Sequence, residues 1–274
     1  MDNKVIMITG ASSGIGYATL ELLKSQGHIV YGTGRKSEDL DKITSAGGVP
    51  LKVEMTDYKT LELAVANVVK SEGRIDVLFN NAGYGLYGSV EETDIDLAKH
   101  QFDVNLFGLA RITQLVLPHM RKQGSGTIIN TSSVGGKVYT PLGAWYHATK
   151  HALEGWSDCL RLELKQFSID VVIIEPGGVQ TPWGNIAADN LRKISSKGPY
   201  KQLGQKTANG MLASYKKQGS LSSPSVIAKA VSRAIKAKRP KTRYVAGKYA
   251  KQLLFARKYL GDRIYDKIIL SRAG

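Results

Sequence analysis

Six short apolar runs, at 4–10 (KVIMITG), 28–34 (HIVYGTG), 49–54 (VPLKVE), 75–83 (IDVLFNNAG), 126–133 (GTIINTSS) and 169–178 (IDVVIIEPGG), punctuate the chain. Between them lie longer stretches, at 15–26, 60–72, 97–122 and 145–167, whose apolar residues recur every three or four positions. Brief apolar runs bounded by turn residues predict strands buried on both faces, and the longer period predicts helices. Their alternation predicts an α/β fold, a doubly wound parallel sheet with helices on both faces, in a single domain over 1–274. The rhythm breaks at 183–223, where Gly, Ser, Lys and Asn abound, and a mobile insertion over the site is expected there. A helical segment is expected over 224–274.

Charge changes this picture at one end. The formal net charge is +15, and residues 221–274 hold fourteen Lys/Arg against only Asp262 and Asp266. Such an excess suits a phosphate-bearing cofactor, nucleic acid or an anionic membrane surface. Cys159 is the single cysteine, which excludes an intramolecular disulfide and a cysteine-cluster metal site. No apolar run reaches the roughly 18 residues of a membrane span, and the N-terminal run is too short for a signal peptide. A cytoplasmic protein is the expectation.

Directly after the first run comes TGASSGIG, with Gly10, Gly14 and Gly16, followed by a helical pattern. Glycines between a strand and a helix let a pyrophosphate approach the helix N-terminus, whose free N–H groups and dipole favour anions; a tight turn alone would also use them. Further on, Tyr146 and Lys150 stand four apart, so a helix projects both from one face. NNAG at 80–83, Asn105 in VNLFG, Ser132 and Ser133 in TSSVGG, and PGGVQT at 176–181 complete an ordered set.

In this order and spacing the set resembles the short-chain dehydrogenase/reductase family, over residues 5–182, and within it the branch of 17β-hydroxysteroid dehydrogenase-like reductases. The resemblance implies a Rossmann-type fold, a nicotinamide cofactor and a catalytic Asn105, Ser133, Tyr146 and Lys150. Ser133 is chosen over Ser132 because it lies thirteen residues before Tyr146, as in the family. Implied cofactor contacts are Gly10, Ser12, Ser13, Gly14, Ile15 and Gly16 in the first turn, with Arg35, Glu54 and Met55 after the next two strands. Asn81, Ala82 and Gly83 follow the fourth strand, Tyr146 and Lys150 are shared with catalysis, and Pro176, Gly177, Val179 and Thr181 follow the sixth. The family has an aspartate where this chain has Glu54.

A carbonyl accepting hydride gathers negative charge on oxygen and needs a proton donor and fixed hydrogen-bond donors. Tyr146 is expected to donate the proton, with Lys150 lowering a phenol pKa that is ordinarily about 10. Ser133 is expected to polarise the substrate oxygen, and Asn105 to hold a water linking Lys150 to solvent, as the resemblance implies. His147 and His151 have the HxxxH spacing of zinc sites, but Lys150 between them is unsuited to a dication, and no metal is expected.

Arg35 and Lys36 at the end of the second run favour NADP over NAD, with Arg35 as phosphate clamp and Ser12 as helper; Glu38 and Asp39 nearby keep NAD open. Aromatic residues near Tyr84, Tyr87, Tyr139, Leu142 and Trp183 suggest a hydrophobic ketone, aldehyde or secondary alcohol of steroid, retinoid or acyl type. The basic tail has near-helical apolar spacing at Tyr249, Leu253, Leu260, Ile264 and Ile268. Packing in the protein or in a homodimer or homotetramer is favoured over a membrane role for it. The alternative to an enzyme is an NADP(H)-binding regulator without turnover. A nucleic-acid partner is not expected, because no recognised binding motif appears.

Overall fold

Val5, Ile6, Met7 and Ile8 form β1 (Val5–Ile8), and their side chains alternate between two separate cores. Val5 and Met7 face one, Ile6 and Ile8 the other, as the two-residue period of a strand requires. A computed structural model describes residues 3–195 and 197–273. Around β1 stand β2 (Ile29–Gly34), β3 (Val49–Lys52), β4 (Val77–Asn80), β5 (Gly126–Thr131), β6 (Ile169–Pro176) and β7 (Arg243–Ala246). All pairings are parallel, in the order β3-β2-β1-β4-β5-β6-β7.

Helices α1 (Gly14–Ser25) and α2 (Ser37–Ser45) cover one face of the sheet, with Leu20, Leu23 and Ile43 in its core. Against the other face lies α3 (Tyr58–Glu72), through Leu61, Val65 and Val68. Next in the chain, α4 (Ile95–Phe102) passes through a π-helical turn, Asp103–Gly108, into α5 (Leu109–Gln123). The single helix expected over 97–122 is thus continuous in path but widened in the middle, which is where Asn105 sits. Then α6 (Ala144–Leu164) adds Leu160 and Leu164 beside the α3 and α5 residues. Fully burying such an aliphatic side chain contributes about 1.5–3 kcal/mol, so the two cores fix the strand ends between them.

The segment 183–223 holds two helices, α7 (Trp183–Ile194) and α8 (Lys201–Lys216), which pack together through Ala187, Ala188, Leu191 and Ala208. Small residues at that contact explain the weak apolar period: close helix approach here uses alanine and glycine. After α9 (Pro224–Lys236), which returns to the α1 face, β7 adds a seventh strand beyond the six expected. Two further helices, α10 (Ala250–Tyr259) and α11 (Gly261–Ala273), end the chain. Among the described residues no helix is long and apolar enough to cross a membrane.

After β3 the chain crosses to the far side of β1 to begin β4, so strand order reverses between them. Loops leaving the carboxyl ends of β1 and β4 splay apart there, and the resulting crevice is where open α/β sheets bind ligands.

Candidate active site

At the mouth of that crevice the turn from β1 to α1 is tied to the loop after β4. Thr9 Oγ1 accepts the Asn81 and Ala82 N–H groups at 2.9 and 3.0 Å, and Asn81 Nδ2 donates to the Thr9 and Gly10 carbonyls at 3.1 and 3.0 Å. Gly10 and Gly14 have φ of +66° and +53°, which side chains other than glycine seldom adopt. A Cβ on Gly16 would collide with the Gly10 carbonyl and stand 2.7 Å from Asn81 Nδ2. Ser13 caps α1 with extended backbone, and its side chain makes no cap bond. The first N–H groups of the helix are left for an anion.

These residues fit a dinucleotide. Gly10, Ser12, Ser13, Gly14 and Gly16 would form its phosphate cradle, while Ile15 packs against the core shared by α1 and β1. Arg35 and Glu54 flank the cleft at the ends of β2 and β3, their charged groups 3.9 Å apart, and the Arg35 side chain is 69% exposed. Asp39 is engaged elsewhere: its carboxylate accepts the Arg35 and Lys36 N–H groups at 3.2 and 3.1 Å, capping α2. Burial alone would raise the Asp39 pKa, but these bonds and the Ser12 hydroxyl hold it below its usual value. Met55 is buried, its carbonyl pressed against Gly108 of the π turn. On the opposite wall, Gly177 N donates to Ala246 O at 2.8 Å beside Pro176, and Val179 O accepts from the Tyr215 hydroxyl at 3.2 Å. The Thr181 methyl lies 3.1 Å from where a Gly14 Cβ would stand, which closes the cradle across the crevice.

Deeper in, α6 presents Tyr146 and Lys150, both buried, on one face. Tyr146 is hydrogen-bonded to the Ser133 side chain. The Ser133 Oγ also accepts Gly135 N–H at 3.0 Å, which aims it from the turn after β5. Lys150 Nζ donates to Thr131 O at 2.8 Å. A Cβ on Gly83 would lie 3.0 Å from Asn105 Oδ1 and 3.9 Å from Lys150 Nζ, so Gly83, Asn105 and Lys150 converge on one point. The Asn105 amide clamps Tyr84 through both backbone groups, at 3.1 and 3.0 Å, and reaches Thr149 Oγ1 at 3.2 Å.

Burial pushes the Tyr146 phenol up to about 12, although the Ser133 bond lowers it. In the polypeptide itself, desolvation of the phenolate outweighs the lowering by Ser133. Lys150 is lowered to about 8 by burial, with the Glu154 charge acting against that. Glu154, buried one turn along α6, belongs to a charge cluster that sequence reasoning missed: Arg243 Nη2 reaches Glu154 at 2.9 Å and Asp158 at 2.7 Å, and Lys137 reaches Glu154 at 3.0 Å. Its only sequence signal was the four-residue step from Lys150.

Both histidines are occupied. His147 Nε2 faces Thr140 N at 3.1 Å and must accept from it, so Nδ1 carries the proton and donates to Gly135 O at 2.9 Å. His151 Nδ1 lies 2.9 Å from His147 O. Over Tyr146 the rings of Tyr87 and Trp183 close at centroid distances of 5.8 and 5.1 Å, and Leu142 joins their cluster. Tyr139, expected on the substrate side, instead donates to Asp266 at 2.9 Å and packs on Tyr265 of α11. Tyr84 turns toward His100, with ring centroids 6.1 Å apart. Tyr215, missed in the sequence, packs against Gly184 and reaches Val179 and Thr181.

A family model described as short chain dehydrogenase matches residues 4–191. A 3-ketodihydrosphingosine reductase of Bacteroides thetaiotaomicron is 42% identical over 182 residues, and the match spans 66% of this chain and 66% of that one. The oxidoreductase YbbO of Escherichia coli is 33% identical over 267 residues, 97% of this chain and 94% of its own. A short-chain dehydrogenase from Streptomyces avermitilis superposes with a TM-score of 0.77 at 29% identity, covering 99% of this chain and 98% of that one.

Proposed function

The chain belongs to the short-chain dehydrogenase family and is a nicotinamide-dependent oxidoreductase, and from that premise we propose that it uses NADPH to reduce the carbonyl of a lipophilic ketone or aldehyde. The observation that carries this reading is the Ser133–Tyr146 pair, buried beneath Tyr87 and Trp183 one helical turn from Lys150.

The nicotinamide supplies the hydride when bound. Tyr146, protonated at neutral pH because burial disfavours its anion, gives its hydroxyl proton to the carbonyl oxygen as charge develops there. The Ser133 hydroxyl donates to the same oxygen and holds it. Lys150, still largely cationic at pH 7, stabilises the phenolate left on Tyr146 and lies where the cofactor ribose would pass. Asn105 fixes the Tyr84 backbone and Thr149 beside Lys150, and so orients the proton path; a water relay at this point is part of the reading.

For the cofactor, the exposed Arg35 guanidinium and Ser12 support a 2′-phosphate, and Asp39 is taken up in capping α2. For the substrate, the aromatic walls support an apolar group beside the carbonyl, and the Bacteroides relative is named for reducing a 3-keto compound. An acyl-chain ketone is the favoured class, with steroid and retinoid carbonyls next. The α7–α8 segment would open to admit it, since Trp183 covers Tyr146. An apolar groove lined by Ile95, Phe102, Phe107 and Trp145, about 310 Å³, supports a homodimer, and a cytoplasmic setting completes the proposal.

NADPH consumption against a panel of long-chain ketones and aldehydes tests this. Tyr146→Phe should bind NADPH as the parent does and lose roughly 10²–10⁴-fold in kcat, the range of general acid catalysis. Unchanged turnover in that variant would overturn the mechanism, and equal kcat/KM with NADH would overturn the cofactor assignment.

A further inference from the structure

The last two helices have two different sides. Inward, Leu253, Leu254 and Ala256 of α10 and Tyr265 and Ile269 of α11 pack against Val134, Val138 and Tyr139, the loop that follows Ser133. This meets the expectation that the tail packs within the protein. Outward, Phe255 and Tyr259 are each 61% exposed with ring centroids 4.8 Å apart. Ile264 and Leu270 of α11 are exposed as well.

Basic residues share these outward faces. Lys251, Phe255, Lys258 and Tyr259 fall within one arc of α10 by their spacing, as do Arg263, Ile264, Lys267 and Leu270 on α11. The Lys258 ammonium sits 5.2 Å from the Tyr259 ring centre. Both acidic residues of the tail are engaged: Asp262 binds Arg257 at 2.5 Å, and Asp266 accepts from Tyr139. Among the described residues, Lys251, Lys258, Arg263 and Lys267 make no ion pair, so the outward charge is uniformly positive.

We propose that this face of α10 and α11 docks on an anionic phospholipid surface, with Phe255, Tyr259, Ile264 and Leu270 entering the interface and the lysines and arginines meeting headgroup phosphates. Charge selects this occupant over a second copy, which would bring Lys251, Lys258, Arg263 and Lys267 of one face against the same four of the other. Chemistry selects it over nucleic acid, since exposed aliphatic side chains gain from hydrocarbon and not from a phosphate backbone. Aromatic rings with long basic stems suit the boundary region, where the ring sits among headgroups and the ammonium extends to phosphate. Docking would set the Ser133 loop, against which both helices pack, at the lipid surface.

The test is sedimentation of the full chain with phosphatidylcholine vesicles, with and without phosphatidylglycerol, and with neither substrate nor cofactor present, so its outcome is independent of the reductase assay. Binding should need phosphatidylglycerol. It should fall when salt rises from about 0.1 M to about 1 M, which shortens the screening length from about 10 Å to about 3 Å. Phe255→Ser/Tyr259→Ser, a pair of exposed positions, and Lys251→Glu/Lys258→Glu should each weaken binding by roughly tenfold or more. Each variant should keep the parent's melting temperature. No sedimentation with phosphatidylglycerol, equal binding to neutral vesicles, or full binding by both variants would overturn the proposal. So would a change from dimer to monomer in the aromatic variant with vesicle binding intact, because the face would then be an interface between copies.

Discussion

At Lys150, burial lowers the ammonium pKa to about 8 while the Glu154 carboxylate works to raise it. An unfolded lysine titrates near 10.4, so between those values the unfolded chain binds the extra proton. Stability contributed at this position therefore rises as pH climbs from about 8 toward 10.4, and a cost persists at neutral pH. The proposed mechanism uses the cation; the fold would do better without it. Lys150→Met is expected to stabilise the cofactor-free protein at pH 7 by about 1–3 kcal/mol and to abolish turnover, the trade found where a strained site serves function. Urea denaturation at pH 7 and pH 10 checks this: the gain should shrink at the higher pH, and a variant less stable at both would sink the argument. Tyr146 poses no such conflict, because burial and proton donation both favour its neutral form.

At the scale of elements, α6, β6 and β7 are joined by charge as well as by packing. Arg243 on β7 sits among Glu154 and Asp158 of α6 and Glu175 of β6, the last at 3.4 Å. Glu175 is pushed up to about 7, first by burial and then by the Glu154 charge, with Arg243 and Lys137 opposing. An unfolded glutamate titrates near 4.3, so the native state binds the extra proton between about pH 4.3 and 7 and loses stability as pH rises through that window. Glu175→Gln should flatten this dependence and gain about 1–3 kcal/mol at pH 8, read from denaturant unfolding at pH 5, 6.5 and 8. An unaltered slope would show that another group titrates. This cluster also marks where the sequence stopped being legible. Six strands stood out as short apolar runs bounded by turn residues, but β7 is four half-buried residues whose Arg243 is held by Glu154 and Asp158, more than eighty positions away. Likewise α7 and α8 escaped notice because three of the four fully buried positions at their contact, Ala187, Ala188 and Ala208, are alanines that give a weak apolar period beside Leu191. The residues at the mouth of the crevice were legible for the opposite reason: glycine turns, the Asn81 amide and the Tyr146–Lys150 step are local geometry that few other residues satisfy.

Over the whole molecule, the crevice between β1 and β4 is bounded by turns from both halves of the sheet, held together by the Asn81 bonds to Thr9 and Gly10. A dinucleotide bound as proposed would contact the β1, β2, β4 and β6 loops at once, so its binding energy would add to the stability of the fold as a unit. At a hundred times its Kd a ligand adds about 2.7 kcal/mol, which for a domain of this size raises the melting temperature by roughly 5–10 °C. NADP(H) should produce such a shift, and NAD(H) at equal concentration a smaller one. Arg35→Ala should bring the two together by weakening NADP(H) alone, because this side chain is exposed, bears only a loose 3.9 Å pairing with Glu54, and has no part in the core. Gly16→Ala should lose the shift with both cofactors, since its methyl would collide with the Gly10 carbonyl inside the cradle. Differential scanning fluorimetry across the three proteins separates the possibilities: equal shifts in the parent would remove the 2′-phosphate role from Arg35, and a full shift in Gly16→Ala would remove the cofactor from this turn altogether.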